Sequence, residues 1–405
     1  MDRICLSVAM LPIAREMGWP EGVQGVVQSA FLWGYLATQL LGGTLADKYG
    51  GKVVMGVGVA WFSLASLLLP AALSPAVAAT GLTFAAVLAA RFLVGFGEGV
   101  AMPAMNNLIA RNIPPSLKAT ALGNCYTGFH TGNLLGLVLS PLILQRFGWR
   151  ALFYIFGLVG APLLLLWTLA VPGLKEQQQQ QQGQPLAAGQ PTPGKQQQSQ
   201  QAISLVDLMS KPATWAIIVV NFINHFGYFI YLNWMPTYFY KVLGVDLRAS
   251  ALLSFIPWLV MAVGSSLAGL LADGLVRAGH SVVSVRKGVQ TAAFLGPVAA
   301  LLVLASPSIT AGKAVAAMTA ALGITSLGQA GFVANMSDIA PRHAGRLFGL
   351  CNTFGSFAGI LGVSAAGFIV EKTGSFSNVF YITAALYVLG TVVWNLYCTA
   401  DKQFD

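Results

Sequence analysis

Charged side chains are unusually scarce in this sequence. They make up 9% of the 405 residues, against about 25% in ordinary soluble domains. Hydrophobic residues make up 56%, and the mean hydropathy is +0.70. A soluble protein of this composition would lack the polar surface needed to stay in solution. The scarcity of charge therefore excludes a soluble domain and indicates an all-α polytopic membrane protein.

Cysteine and histidine are also rare, with four of each. The cysteines lie within or at the ends of apolar segments without CxxC spacing, so we interpret them as small buried side chains, not as a disulfide or a metal site. No nucleotide-binding loop and no nucleophile–base arrangement appears, so we predict no enzymatic activity and no cofactor. The net charge of +9 is not a signal for nucleic-acid binding, because basic residues of a membrane protein are expected in its loops. We therefore predict no nucleic-acid partner.

What the sequence has in abundance is apolar segments, and we predict twelve spans from them. A glutamine-rich stretch cannot bury apolar surface and is predicted to be a disordered linker. These features divide the chain into an N-terminal six-helix bundle (1–172), the linker (173–212) and a C-terminal six-helix bundle (213–405). The spans are predicted near 1–17, 24–45, 53–71, 82–108, 117–143, 150–172, 213–240, 249–271, 288–306, 312–336, 344–370 and 377–398.

An internal repeat relates the two predicted bundles. GTLAD at 43–47 recurs as GLLAD at 269–273, an offset of 226 residues. The same offset pairs Pro115 with Pro341 and Cys125 with Cys351. Six spans in each half give both copies the same orientation in the membrane, as in transporters built from parallel repeats.

Basic residues predict the orientation. If both termini lie on one side of the membrane, thirteen lysines and arginines fall on that side and seven on the other. The positive-inside rule then places the termini and the linker on the cytoplasm-like side. We call this the terminus side and the opposite one the far side. Arg3 and Arg91 belong to neither, because both fall within spans.

The loop between the second and third spans carries the motif GGTLADKYGGK, residues 42–52. It matches the G-x-x-x-D-[RK]-x-G signature of the major facilitator superfamily at Gly43, Asp47 and Lys48. The alternative is an ordinary acidic turn followed by basic residues, but Gly269 and Asp273 repeat the pattern in the second half. Small residues allow close helix approach, and a carboxylate can cap a neighbouring helix. We therefore predict a conformational switch, with Asp47 holding the outward-open state together with Arg111.

Longer stretches resemble the anion:cation symporters of that superfamily. The similarity covers nearly the whole chain except the linker and is closest to the plant type 4 phosphate transporters; sodium/phosphate cotransporters and vesicular glutamate transporters belong to the same family. It implies a twelve-helix major facilitator fold that carries phosphate or organic anions, driven by sodium, protons or membrane potential. Stretches that carry the resemblance include DRICLSVAMLPIA (2–14), RFLVGFGEGVAMPAMNNLIARNIPPS (91–116), LNWMPTYFYKVLG (232–244), SDIAPRHAG (337–345) and GTVVWNLYCTADK (390–402).

Two arginines within spans are the main candidate binding residues. Arg91 lies seven residues before Glu98, so the two share a helix face two turns apart. A charge at mid-membrane is costly and usually functional, and guanidinium groups suit phosphate through paired hydrogen bonds. We predict that Arg3 and Arg91 bind substrate, and the resemblance implies the same role for both. The alternative is that Arg91 and Glu98 only neutralise each other.

Further residues could complete the site. Glu98 is the candidate coupling residue, through a proton or through pairing with Arg91, and we expect Gly95 and Gly99 to clear space beside both charges. Ser7 could donate a hydrogen bond to substrate, although a hydroxyl bonded to its own helix is equally compatible with the sequence.

The second half adds polar residues within the seventh span, where polar groups usually face the bundle interior. The candidates for substrate binding are Asn224, His225, Tyr228 and Asn233. A structural role for His225 is an open alternative, because relatives often carry the basic or imidazole residue at the position of Asn224. Asp338 is interpreted, like Asp273, as a conformational residue.

These observations predict a secondary active transporter of inorganic phosphate, with organic anions (ascorbate, dicarboxylates, glutamate) as the alternative and a non-transporting anion sensor as a distant one. Na⁺ or H⁺ is the expected coupling ion, and the expected partners are a small anion and membrane lipid around a monomer. The first span offers about 16 residues where ~20 are needed, so we expect a truncated first helix and a longer precursor. The plant resemblance suggests a plastid membrane, envelope or thylakoid.

Overall fold

The computed structural model describes residues 2–112, 118–170, 204–341 and 343–404 of the chain. This part of the chain is helical and contains no strand. The helices of the first half are α1 (Asp2–Met17), α2 (Glu21–Tyr49), α3 (Gly51–Ala72), the short α4 (Pro75–Ala78), α5 (Thr83–Glu98), α6 (Ala101–Asn112) and α7 (Lys118–Ala170).

The second half begins with a short helix and continues with long ones. They are α8 (Leu205–Leu208), α9 (Pro212–Leu243), α10 (Leu247–Arg277), α11 (Val282–Leu304), α12 (Ala311–Thr325), a 3₁₀ turn (Ser326–Gln329), α13 (Phe332–Ile339), α14 (Ala344–Thr373) and α15 (Ser377–Tyr397).

Twelve helical segments can be counted in the described residues. Nine stretches are long and apolar enough to cross a membrane, with α5–α6 and α12–α13 counted as one each. The stretch within α7 bends at Gly148, whose φ is +79°, and so contributes two legs, 118–147 and 149–170. The 16-residue α1 and the 29-residue α2 complete the set. The predicted number of segments is therefore confirmed.

The internal repeat is visible in the helix boundaries. The first leg of α7, residues 118–147, corresponds at the offset of 226 to α14, Ala344–Thr373. Each is followed by a glycine with positive φ, Gly148 at +79° and Gly374 at +65°. Glycine is the residue that adopts this left-handed conformation without steric cost. The two halves thus use the same turn at the same place, as the repeat predicts.

One predicted helix is interrupted. The sequence predicted one continuous span at 82–108, whereas α5 ends at Glu98 and α6 starts at Ala101. Pro103 has no amide hydrogen to donate to the carbonyl of Gly99, four residues earlier, so the helix weakens there. The predicted coupling residue consequently lies at a helix end, which a continuous helix would not provide.

Among the described residues, the halves meet mainly through the pairs α2 with α14, α1 with α9, and α7 with α10. The α2–α14 contact is close because glycines line it. A Cβ added to Gly25 would lie 2.8 Å from the carbonyl oxygen of Val363. The Ser29 and Ser364 hydroxyls are 2.9 Å apart across this interface. Most of the predicted linker lies outside the described residues, so the domain boundaries stay predictions.

Three of the four cysteines, Cys5, Cys351 and Cys398, are buried, and Cys125 is half-buried. All four are free thiols, in agreement with their interpretation as small side chains in apolar surroundings.

Candidate functional site

Arg91 lies in α5 against α2 and is only 3% exposed. Its guanidinium carbon lies 5.3 Å from the centroid of the Phe31 ring, over the face of that ring. Such a cation–π contact partly compensates for the lost hydration of the charge. Because a lipid-facing side chain would be exposed, this burial shows that Arg91 points into the protein. Contact with an anion would need a neighbouring side chain such as Phe31 to move.

The tight packing of α2 against α5 comes from glycines. A methyl group on Gly95 would overlap the carbonyl oxygen of Phe31, and one on Gly34 would overlap the carbonyl oxygen of Phe92. The space beside Gly99 is likewise occupied, by the carbonyl oxygen of Tyr35 and the hydroxyl of Thr38. The expectation that Gly95 and Gly99 clear space beside the two charges is therefore wrong, because α2 fills that space.

Glu98 is the last residue of α5 and is half-buried. It follows Arg91 by two helical turns, or about 10 Å along the axis, as the spacing predicts. The side chain of Arg3, the other predicted arginine, lies outside the described residues, so its role stays a prediction.

The Ser7 hydroxyl is bonded to its own helix, which is one of the two alternatives left open by the sequence. Its hydroxyl donates to the carbonyl oxygen of Ile4 within α1, at 2.7 Å, and the residue is fully buried. This geometry does not support the predicted hydrogen bond from Ser7 to substrate, because the hydroxyl proton is already used by its own helix.

In the second half, Asn221, Asn224, His225 and Tyr228 share one face of α9, whereas Asn233 lies on the opposite face. The Asn221 amide donates to the carbonyl oxygen of Cys351 in α14. Nδ1 of His225 is 2.9 Å from the carbonyl oxygen of Asn221, and its ring packs on Gly355, where an added Cβ would lie 2.8 Å from Cγ. His225 is thus fixed against α14, which fits the structural alternative for this residue.

Asn224 and Tyr228 occupy the same face one turn apart. Asn224 is 9% exposed, and its amide makes no hydrogen bond with any described residue. The Tyr228 ring packs edge to face on Trp258 of α10, with centroids 5.2 Å apart. The Asn233 amide instead donates to the carbonyl oxygen of Phe229 at 2.8 Å. Of the predicted residues on α9, Asn224 has the amide most available to a ligand.

The arginine and the α9 face lie at the same depth in the protein. A Cβ added to Gly359 of α14 would lie 2.9 Å from Leu32 and would also overlap Phe229. Leu32 follows Phe31, on which Arg91 rests, and Phe229 follows Tyr228. The junction of α2, α9 and α14 therefore brings the two predicted groups to one level of the helix bundle.

Gln28 of α2 was not among the predicted site residues. It is 2% exposed, and neither its Nε2 nor its Oε1 has a hydrogen-bond partner among the described residues. An unsatisfied buried amide costs about 1–3 kcal/mol, and Gln28 lies one turn before Phe31, at about the level of Arg91. Its signal in the sequence is a polar amide in mid-span, the same signal that predicted the residues of α9.

The predicted switch residues are only partly described. The side chains of Asp47 and Arg111 lie outside the described residues, so their pairing stays a prediction. Lys48 is exposed, with its ammonium 5.1 Å from the Tyr49 ring centroid. Among the residues that the structure describes, no atom lies within 4 Å of a Cβ placed on Gly43.

The corresponding loop of the second half is equally open. Gly269 has open space where a Cβ would be, and Asp273 is exposed. The switch role of these positions therefore stays a prediction.

Asp338 forms its ion pair with a residue of its own half of the protein. Its Oδ2 accepts a hydrogen bond from Nε of Arg286 in α11 at 2.7 Å, and Nη1 of Arg286 donates to the carbonyl oxygen of Ala330 at 2.9 Å. Asn335 joins Asp338 at 3.4 Å and the carbonyl oxygen of Thr399 at 2.8 Å. Asp338 therefore ties α13 to α11 on the terminus side. Its partner Arg286 was predicted only as one of the loop charges.

Replacing Asp338 with alanine should destabilise the protein by about 2 kcal/mol, between the values for exposed and buried pairs. The Arg286 guanidinium would lose its carboxylate while remaining half-buried. The shift can be measured by thermal unfolding in detergent. An additional Arg286→Gln change should restore part of the lost stability. A double variant less stable than Asp338→Ala alone would contradict the pairing.

Comparison with known proteins fits this architecture. Residues 1–308 match the Major Facilitator Superfamily. The chain is similar to the chloroplastic ascorbate transporter of Arabidopsis thaliana, 42% identical over 412 residues that cover 100% of this chain and 73% of that protein. It is also similar to the chloroplastic sodium-dependent phosphate transport protein 1 of the same plant, 41% identical over 415 residues, covering 100% and 77%.

The fold matches a solved structure as well. The inward-open xylose transporter XylE from E. coli superimposes with a TM-score of 0.79 at 15% identity, covering 98% of this chain and 92% of that one. The resemblance to the anion:cation symporters and the predicted fold class are therefore confirmed. The chain belongs to the major facilitator superfamily and is a multi-pass membrane protein of its anion-transporter branch.

Proposed function

We propose that this chain is a secondary active transporter of inorganic phosphate that works by alternating access, coupled to sodium or protons, in a plastid membrane. The names of two relatives at 41–42% identity, a sodium-dependent phosphate transport protein and an ascorbate transporter, support a small anionic substrate. Both relatives are chloroplastic, which supports the location.

The burial of Arg91 is the observation that carries the proposal. A permanently charged guanidinium is kept inside the apolar first half, at a cost of several kcal/mol, where a neutral residue would pack more cheaply. An anion with several acceptor oxygens offsets that cost through paired, charge-assisted hydrogen bonds. In the described conformation the group is covered by Phe31, so binding begins when that ring moves aside.

The opposite wall of the site is the α9 face. The Asn224 amide can donate to a second anion oxygen, and the Tyr228 ring, held by Trp258, limits the room for the ligand. Gln28 can add a further donor from α2. Glu98 at the end of α5 is the carboxylate proposed to carry the coupling proton or to help hold sodium.

An organic anion such as ascorbate is the second candidate. One relative of equal identity is an ascorbate transporter, and the aromatic rings of Phe31 and Tyr228 lie at the level of Arg91, where they could stack on a flat organic ring.

Uptake into liposomes tests the proposal. Purified protein is reconstituted, and labelled phosphate is offered under a sodium gradient, a pH gradient or a membrane potential, each imposed separately. We expect phosphate to accumulate under at least one gradient and protein-free liposomes to show none. Accumulation of labelled ascorbate without phosphate would favour the second candidate. Binding without accumulation of either anion would contradict transport and favour a sensor.

A further inference from the structure

The N-terminus of α2 is capped by a residue from the other half of the protein. The residue before the helix is Pro20, whose side chain offers no hydrogen-bond acceptor to the free amides of the first turn. Instead, the amide of Gly22 donates to Oε2 of Glu371 at 2.7 Å. Glu371 lies in the last turn of α14, 349 residues further along the chain. A carboxylate in this position also interacts favourably with the helix dipole.

The helix that corresponds to α2 in the second half, α10, is capped by the residue that precedes it. At the offset of 226, Pro20 corresponds to Asp246, and the Asp246 side chain accepts a hydrogen bond from the amide of Ala249 at 2.9 Å. Glu371 corresponds in turn to Gln145, near the end of the first leg of α7. The same helix start is therefore capped from within its own half in one copy and across the interface in the other.

Two further contacts surround this cap and also join the halves on the far side. Glu21 forms an ion pair with Lys241 of α9, and the Arg15 guanidinium lies 4.7 Å from the Tyr240 ring centroid. The backbone is close here as well, because a Cβ on Gly367 would overlap the Glu21 carbonyl oxygen. Together these contacts hold the far ends of α1 and α2 against α9 and α14.

We propose that Glu371 is a latch that favours closure of the far side. Its carboxylate can cap α2 only while the halves are together there, whereas α10 keeps its cap in any arrangement. When the far side opens, the amide of Gly22 loses its partner, and Glu21 and Lys241 separate. A helix cap typically changes an equilibrium by about fivefold, so Glu371 shifts the ratio of closed to open molecules by a factor of this order. The inference rests on the alternating access in the proposed function and is independent of the anion carried.

Distances between the far-side ends of the two halves test the latch. Spin labels at positions 79 and 308, both exposed far-side loop residues, report the separation in the full chain with Cys125 replaced by serine. We expect Glu371→Ala to raise the fraction of long, open distances about fivefold. Glu371→Gln should have a smaller effect, because the amide oxygen can still accept the hydrogen bond without the charge.

A second variant separates a latch from general stabilisation. Pro20→Ser gives α2 a cap of its own in both states, so the contribution of Glu371 to the closed state should fall. We expect Pro20→Ser alone to raise the open fraction, and Glu371→Ala to have little further effect in that background. A purely structural role of Glu371 predicts no change in distances with Pro20→Ser.

Glu16 provides the matched control. It lies on the same side and pairs with Arg150, and it accepts a hydrogen bond from Trp149 at 2.7 Å, all within the first half. Glu16→Ala should leave the far-side distances unchanged. The latch is refuted if Glu371→Ala gives the parent distances, or if Glu16→Ala opens the far side equally. Absence of phosphate uptake with the expected distance changes would refute the substrate and leave the latch intact.

Discussion

Replacing Arg91 with alanine should reduce anion uptake by about 100-fold or more. Losing one partner of a desolvated charge pair costs about 2–5 kcal/mol, and nothing else described on α5 can replace a guanidinium. The protein should still fold, because the variant leaves the glycine contacts between α2 and α5 in place. Uptake per reconstituted molecule, together with the elution profile in detergent, measures both effects.

Two further variants test whether the loss of uptake is specific to the guanidinium group of Arg91. Arg91→Lys keeps the charge without the planar fork and should retain part of the uptake with a raised KM. Arg150→Ala removes an exposed arginine from the far side of the same half and should leave uptake within about twofold, as expected of an exposed ion pair. Near-parent uptake by Arg91→Ala would show that the arginine has only a structural role.

Gly95→Ala should be among the most destabilising single-methyl changes in the protein. The new Cβ would overlap the carbonyl oxygen of Phe31, which is backbone and cannot rotate away. Separating α2 from α5 costs at least the 1–3 kcal/mol typical of overpacking and moves the Phe31 ring relative to Arg91. We expect a lower unfolding temperature and little monodisperse protein, both measurable by fluorescence-detected chromatography across a temperature series.

Gly288→Ala is the control for this change. Gly288 also lies within a long helix, α11, but an added Cβ there meets open space. Alanine favours a helix by up to about 1 kcal/mol over glycine, so this variant should be as stable as the parent or slightly more stable. Equal behaviour of the two variants would mean that α2 and α5 are not in the close contact described.

The helices were largely predictable because the membrane makes apolar length the dominant signal. The predicted span at 344–370 corresponds to α14, Ala344–Thr373, and the turns at Gly148 and Gly374 are related by the same offset of 226 that was found in the sequence. Periodicity could not reveal the break after Glu98, since apolar residues continue through it. That break depends on the missing amide of Pro103 and on local contact with α2.

Residue types anticipated the candidate site, but its contacts could not be anticipated. A buried arginine and the amides of α9 stand out in an apolar sequence, whereas the covering of Arg91 by Phe31 depends on the register between two helices. Glycines near a charge suggested a cavity and proved to be the points where backbones touch. The bonds of Asp338 to Arg286 and of Gly22 to Glu371 join residues far apart in sequence, and such pairs carry no local signal.

The position of Pro236 within α9 affects how that helix can move. Pro236 has no amide hydrogen, so the carbonyl of Leu232 loses its partner within the helix, and bending costs less there than elsewhere. Tyr240 and Lys241 follow this weak point, and Asn224 and Tyr228 precede it. The far end of α9 can therefore bend at Pro236 while the ligand-facing turns before it stay in place.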